Sequence, residues 1–167
     1  MSVSAADLLL IPPGGVTRAG LELNIRVATL FIHSWLAEGR GCFALDGRAE
    51  DSATAEISRS QVGSIIYLAL LNNELCICAM IMNLGACLCQ VWQWIRHGAR
   101  LEEGGVQVTG SLVRGLVAAL VTGQGEDMEV AGEVFMDIVT RREMPEFITT
   151  LLSDSYYFRF SCHHSES

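Results

Sequence analysis

Apolar residues recur at helical spacing across residues 17–38, and no other feature limits the fold of this chain as strongly. Leu21, Ile25, Ala28, Ile32 and Trp35 fall three or four positions apart. That interval lines one face of a helix with 3.6 residues per turn, whereas a strand needs alternation. Thr17 suits the start, since its hydroxyl can accept from a first-turn N–H, and Gly39 suits the stop. The same spacing returns downstream. It gives Ala53 and Ile57 within residues 52–61, then a helical stretch at 91–98. It gives Leu112, Leu116, Ala119 and Leu120 after Thr109 as a cap, and Val130, Val134, Phe135 and Ile138 within 126–141. Pro145 begins a last short helix, where a missing N–H is tolerated in the first turn. Residues 40–49 are expected to be a loop, with Gly41 and Asp46-Gly47 as turn signals, and Gly104-Gly105 marks another turn. With no strand pair and no internal repeat, the expected fold class is all-α, and 167 residues allow one ordinary core.

Composition narrows the function classes. Half the residues are hydrophobic and 18% are charged, as in a packed chain rather than a disordered one. Nineteen acidic residues face eleven basic ones, all arginine, for a net charge of -8. An acidic chain without a basic cluster argues against nucleic acid as a partner. Residues 1–11 carry no positive segment and only a short apolar run before Pro12-Pro13, so no secretory signal is expected. The six cysteines then read as reduced thiols. His33 sits inside the first helix with no second ligand at helical spacing and reads as a packing residue. Cys162, His163 and His164 lie in a tail, 153–167, expected to be loose and without metal-ligand spacing.

Between residues 62 and 90 the sequence changes character. These 29 residues contain one charged group, Glu74, no arginine, four of the six cysteines and three of the four asparagines. The stretch has the length of a membrane span. However, Asn72-Asn73-Glu74 falls near its middle, where an acidic side chain is costly, so a membrane span is not expected. Cys76, Cys78, Cys87 and Cys89 form two Cys-x-Cys pairs, closer together than the usual structural zinc spacing.

The segment Glu50-Asp51-Ser52-Ala53-Thr54-Ala55-Glu56-Ile57-Ser58-Arg59 resembles the signature of malate synthases. Gly20-Leu21-Glu22-Leu23-Asn24-Ile25-Arg26-Val27 resembles the helix that precedes that signature, approached through Asp7-Leu8-Leu9 and Gly14-Gly15-Val16-Thr17. Val91-Trp92-Gln93-Trp94-Ile95-Arg96-His97-Gly98 is similar to the family's next block, and Pro145-Glu146-Phe147-Ile148-Thr149 to its closing block. In the family Gln61 is followed directly by Val91. The intervening residues correspond to 87 nucleotides and keep the reading frame. They begin with valine, whose codons start GT, and end with glutamine, which can be CAG. The expectation is that residues 62–90 are an unspliced intron.

The resemblance implies the C-terminal helical domain of a malate synthase without its (β/α)8 barrel. The expected division is an approach segment at 1–16, the helical domain at 17–61 and 91–152, the apolar insert at 62–90 and the tail. In the family, acetyl-CoA condenses with glyoxylate and water to give malate and CoA. The barrel holds Mg²⁺ and an arginine, and the C-terminal segment supplies an aspartate that removes a proton from the acetyl methyl group. The matching position is Asp51, while the Mg²⁺ ligands are expected outside this chain, leaving it inactive on its own. From spacing alone Asp51 reads as a helix N-cap, and only the surrounding signature points to a base. Glu50 carries no assigned role beyond complementing a helix N-terminus. The chain departs from the family at Arg48-Ala49, where an apolar Leu-Met pair is common, and in the loop at 43–47. The family implies a cytoplasmic or peroxisomal/glyoxysomal setting, and Ser165-Glu166-Ser167 is not a Ser-Lys-Leu type address. The alternative is a small non-catalytic helical protein whose insert binds a membrane or a partner.

Overall fold

In the computed structural model the described residues are 15–38, 42–45, 48–51 and 84–153. The first helix, α1 (Arg18–Glu38), starts as its sequence predicts: Gly20 N–H donates to Thr17 Oγ1 at 3.1 Å and Leu21 N–H to the Thr17 carbonyl at 3.0 Å. Leu21, Ile25, Ala28 and Ile32 are all buried, and so are Val27, Phe31 and Leu36. A helix on the surface of a domain hides one stripe. This one is enclosed on most sides, because α2 (Leu84–Arg96), α3 (Gly110–Val121) and α4 (Glu126–Thr140) all pack against it.

Helix α2 starts seven residues before the stretch that the sequence marks as helical. Residues 84–90, counted above within the apolar insert, therefore form its first turns, and Cys87, Leu88 and Gln90 join the core. At its other end the Trp92 indole N–H donates to the Arg141 carbonyl at 2.8 Å, and the Arg96 guanidinium lies 5.4 Å from the Trp92 ring centroid. The helix stops at Gly98, whose φ of 63° few residues other than glycine adopt. The chain then turns so that Leu101 bridges Val16, Glu102 N–H donates to the Val16 carbonyl at 2.9 Å, and the Arg18 N–H donates to Glu103. The C-terminal end of α2 thus lies at the N-terminal end of α1, and the two helices run antiparallel.

Helix α3 carries the predicted cap, with Leu112 N–H donating to Thr109 Oγ1 at 3.2 Å. Its buried face is not the predicted one. Val113, Val117 and Val121 are buried, Leu112, Leu116 and Leu120 only partly so, and Ala119 is exposed. The cause lies on α4, where Gly132 has no side chain and lets Val117 and Val121 approach the helix backbone closely. Helix α4 spans 15 residues within the expected range, with Glu126, Asp127 and Glu129 in its first turn, where the helix dipole favours negative charge. Val134, Phe135 and Ile138 are buried in it and Val130 partly so. The last helix, α5 (Ile148–Ser153), begins three residues after Pro145 rather than at it, its first bond running from Leu151 N–H to the Phe147 carbonyl. That start sets Ile148 and Leu152, one turn apart, in the core.

The expectation of a plain loop at 40–49 and no strand pair is corrected. Strands β1 (Cys42–Leu45) and β2 (Arg48–Asp51) form an antiparallel pair, with Cys42 opposite Asp51 and Leu45 opposite Arg48. The signal was present: Asp46-Gly47 separates two four-residue runs, the dipeptide that two-residue hairpin loops favour. Helices still build the core, so the all-α class holds. The expected stop at Gly39, the helical pattern at 52–61 and the tail from 154 onward lie outside the described residues.

Candidate functional site at the open end of the hairpin

Asp51 closes β2 at the open end of the hairpin, directly across from Cys42. The Cys42 carbonyl accepts a hydrogen bond from Ser34 Oγ at 3.0 Å, and Ser34 is buried in the last turns of α1. A buried hydroxyl needs such a partner, so the contact serves the core and the hairpin together. The backbone of Asp51 is thereby one strand pair away from the central helix. Where the sequence suggested a helix start at Asp51, the structure gives strand backbone up to that residue, and residues 52–61 lie outside the described ones. Glu50 pairs with Phe43, while Arg48 and Ala49, the departures from the family pattern, pair with Leu45 and Ala44.

A second polar feature escaped the sequence reading. Asn24 Nδ2 donates to Gln90 Oε1 at 2.7 Å, joining α1 to α2, and both residues are buried. The available signal was position: Asn24 lies one turn from Leu21 and Ala28, on the side of the helix expected to be apolar. An amide pair placed there fixes the sliding register of two helices, because any other register leaves both groups unsatisfied.

An open groove of about 540 Å³ lies between α1 and α3, lined by Arg18, Glu22, Leu23 and Arg26 on one side and Leu116, Ala119 and Leu120 on the other. It occupies the first half of α1, while Ser34 and the hairpin belong to the opposite end, so it does not join Asp51. Arg18 Nε is tied to Glu22 at 2.8 Å. Among the described residues no three His, Cys, Asp or Glu side chains come together as a metal site, and no helix is long and apolar enough to cross a membrane. His33 is half-buried on α1, and Cys87 and Cys89 are buried in α2, whereas Cys76, Cys78, Cys162, His163 and His164 lie outside the described residues.

These elements define a helical domain whose hairpin, braced by its central helix, ends in the acidic pair Glu50-Asp51. The sequence matches the family described as "Malate synthase, C-terminal" over residues 15–74 and 84–156, and the chain belongs to this family. It is similar to the glyoxysomal malate synthase of Zea mays, 32% identical over an alignment of 160 positions that covers 89% of this chain and 23% of that protein. It is 30% identical to malate synthase A of Escherichia coli (strain K12), over 86% of this chain and 23% of that protein. With the malate synthase of Myxococcus xanthus (strain DK1622) the identity is 38%, over 62% of this chain and 14% of that protein. The chain therefore spans between 14% and 23% of the length of these relatives. The break in the family match, residues 75–83, falls inside the apolar stretch at 62–90.

Proposed function

We propose that this chain is the C-terminal helical part of a malate synthase, and that Asp51 is the base that starts the reaction in the complete enzyme. The observation that carries the proposal is the family match across residues 15–74, which contains the whole acidic signature. The same match favours this reading over a free-standing helical protein.

In the proposed reaction the Asp51 carboxylate takes a proton from the methyl group of acetyl-CoA, leaving an enolate. The enolate carbon attacks the aldehyde carbon of glyoxylate, and the resulting alkoxide takes up a proton. Water then cleaves the thioester of the malyl-CoA so formed, releasing CoA and malate. A carboxylate suits the first step because it accepts a proton reversibly and can be held in line with the C–H bond. A brace from Ser34 through Cys42 to the strand that ends in Asp51 supports such positioning. Mg²⁺, acetyl-CoA and glyoxylate are assigned to the complete enzyme, where the metal would polarise the glyoxylate carbonyl. A cytoplasmic or glyoxysomal setting follows the relatives.

Asp51→Asn in the complete enzyme tests the assignment. The amide keeps the size of the side chain but cannot take the proton, so turnover is expected to fall roughly 10²–10⁴-fold. Exchange of acetyl methyl protons with deuterated water should fall in parallel, while glyoxylate binding persists. Asp46→Asn, between the two strands in sequence, is the control and should leave turnover unchanged. Near-normal turnover in Asp51→Asn, or loss of folded protein alone, removes Asp51 from the mechanism.

A further inference from the structure

Helix α3 is apolar on more sides than the described residues cover. Arg114 is its single charged residue, and the valine face at Val113, Val117 and Val121 is already buried. Leu112, Leu116 and Leu120 form a second apolar row, only partly buried, with Ala119 exposed beside it. A helix that is apolar all round needs cover on every side. Leu116, Ala119 and Leu120 make one wall of the groove of about 540 Å³, and Leu23 adds to its apolar lining from α1. On the α1 rim Arg18 is paired with Glu22, whereas Arg26 is exposed and has no hydrogen bond or ion pair among the described residues.

The chain enters the bundle beside this groove. Val16 is fixed against Leu101 and Glu102, and Arg18, two residues on, already lines the groove. Just upstream, outside the described residues, the sequence carries a complement to it. Leu8, Leu9, Leu10 and Ile11 are four consecutive apolar residues, and Asp7 is the only charged side chain among residues 1–14. Pro12 and Pro13 favour extended backbone at Ile11 and Pro12. From Gly15 back to Ile11 is four residues, about 13 Å when extended, which reaches the Arg18 end of the groove. We propose that the groove seats residues 7–11 of this chain, the apolar run against Leu23, Leu116 and Leu120 and the Asp7 carboxylate against the Arg26 guanidinium. The lengths agree. Arg18 to Arg26 spans eight residues of helix, about 12 Å at 1.5 Å per residue. Ile11 to Asp7 spans four residues of extended chain, about 13 Å at 3.3 Å per residue. With Ile11 at the Arg18 end, Asp7 arrives level with Arg26. The segment precedes the family match, which starts at residue 15, and its seating does not depend on the role of Asp51.

The test uses the full chain. With Asp7→Cys and Arg26→Cys introduced, mild oxidation should join positions 7 and 26 within one monomer, as read by peptide mapping of the cross-link. Paired instead with Glu133→Cys, on the exposed side of α4, Asp7→Cys should give no such link under the same conditions. Leu9→Ser with Leu10→Ser should slow the link between 7 and 26 roughly tenfold, as the apolar contact that holds the segment is lost. Deleting residues 1–11 should lower Tm by about 2 °C or more, and Leu120→Ala should then cost less than in the parent chain. Equally fast linking to position 133, or an equal cost of Leu120→Ala with and without residues 1–11, overturns the proposal. A link between 7 and 26 formed only between two molecules gives the groove to a second copy and overturns it as well. If deletion of residues 154–167, and not of 1–11, changes the cost of Leu120→Ala, the C-terminal tail is the occupant and the proposal fails. None of these readings depends on turnover, so loss of the Asp51 assignment would leave them standing.

Discussion

Gly132 sits in the middle of α4, buried against α3, and Gly115 sits in the middle of α3, exposed. Replacing a helical glycine by alanine gains about 0.5–1 kcal/mol from propensity alone. At Gly115 nothing lies within 4 Å of the added methyl group, so Gly115→Ala should realise that gain. At Gly132 the methyl carbon would stand 3.0 Å from Cγ1 of Val117 and 3.0 Å from Cγ1 of Val121. Valine in a helix has one strongly preferred χ1, so neither methyl can swing aside cheaply, and the two helices must separate instead. Overpacking of this kind costs about 1–3 kcal/mol, which exceeds the propensity gain and leaves a net loss of roughly 0.5–2 kcal/mol. For a chain of this size that lowers Tm by about 1–8 °C, while Gly115→Ala raises it by about 1–4 °C. Thermal and urea unfolding of the two variants beside the parent measure both. A stabilised Gly132→Ala would refute the close approach of α3 and α4, and with it the account of why the valines are buried in place of the leucines.

Thr109→Ala removes the side-chain acceptor of the Leu112 N–H and should cost about 0.5–2 kcal/mol in the same unfolding assay. The polypeptide of residues 1–167 assayed alone should release no CoA from acetyl-CoA with glyoxylate and Mg²⁺. Turnover at rates ordinary for enzymes would overturn the assignment of substrate binding to the remainder of the enzyme. Mature message should join the Gln61 codon to the Val91 codon, and abundant message carrying only the longer form would refute the intron reading.

What the sequence disclosed depended on whether the decisive contact was local. The start of α1 was legible because Thr17 and Gly20 lie within one turn, and the cap of α3 for the same reason at Thr109. The buried face of α3 was misjudged because it is chosen by a glycine on another helix, which no periodicity within α3 records. The first turns of α2 were hidden by composition: Leu84 to Gln90 lacks the charged face that makes a helix amphipathic, so the helical spacing did not stand out. The hairpin was overlooked because its strands are four residues each, too short for alternation to register. At the candidate site the signature around Asp51 was legible as a motif. Its brace through Cys42 to Ser34 was not, since that contact joins a side chain to a backbone carbonyl, whose placement carries no sequence mark.

The enclosure of α1 has a consequence for how the molecule opens. Across its middle, Asn24, Ile25, Val27, Ala28, Thr29, Phe31 and Ile32 are all buried, facing three different helices. No partial fraying can bring those amides to solvent without first detaching at least one neighbour from the central rod. Their exchange with deuterated water should therefore report one common opening free energy, that of whole-molecule unfolding, while the exposed turn at Gly104-Gly105 exchanges by its own local motion at a lower free energy. The slowest protons of the chain thus become a gauge of its global stability, readable residue by residue without any denaturant.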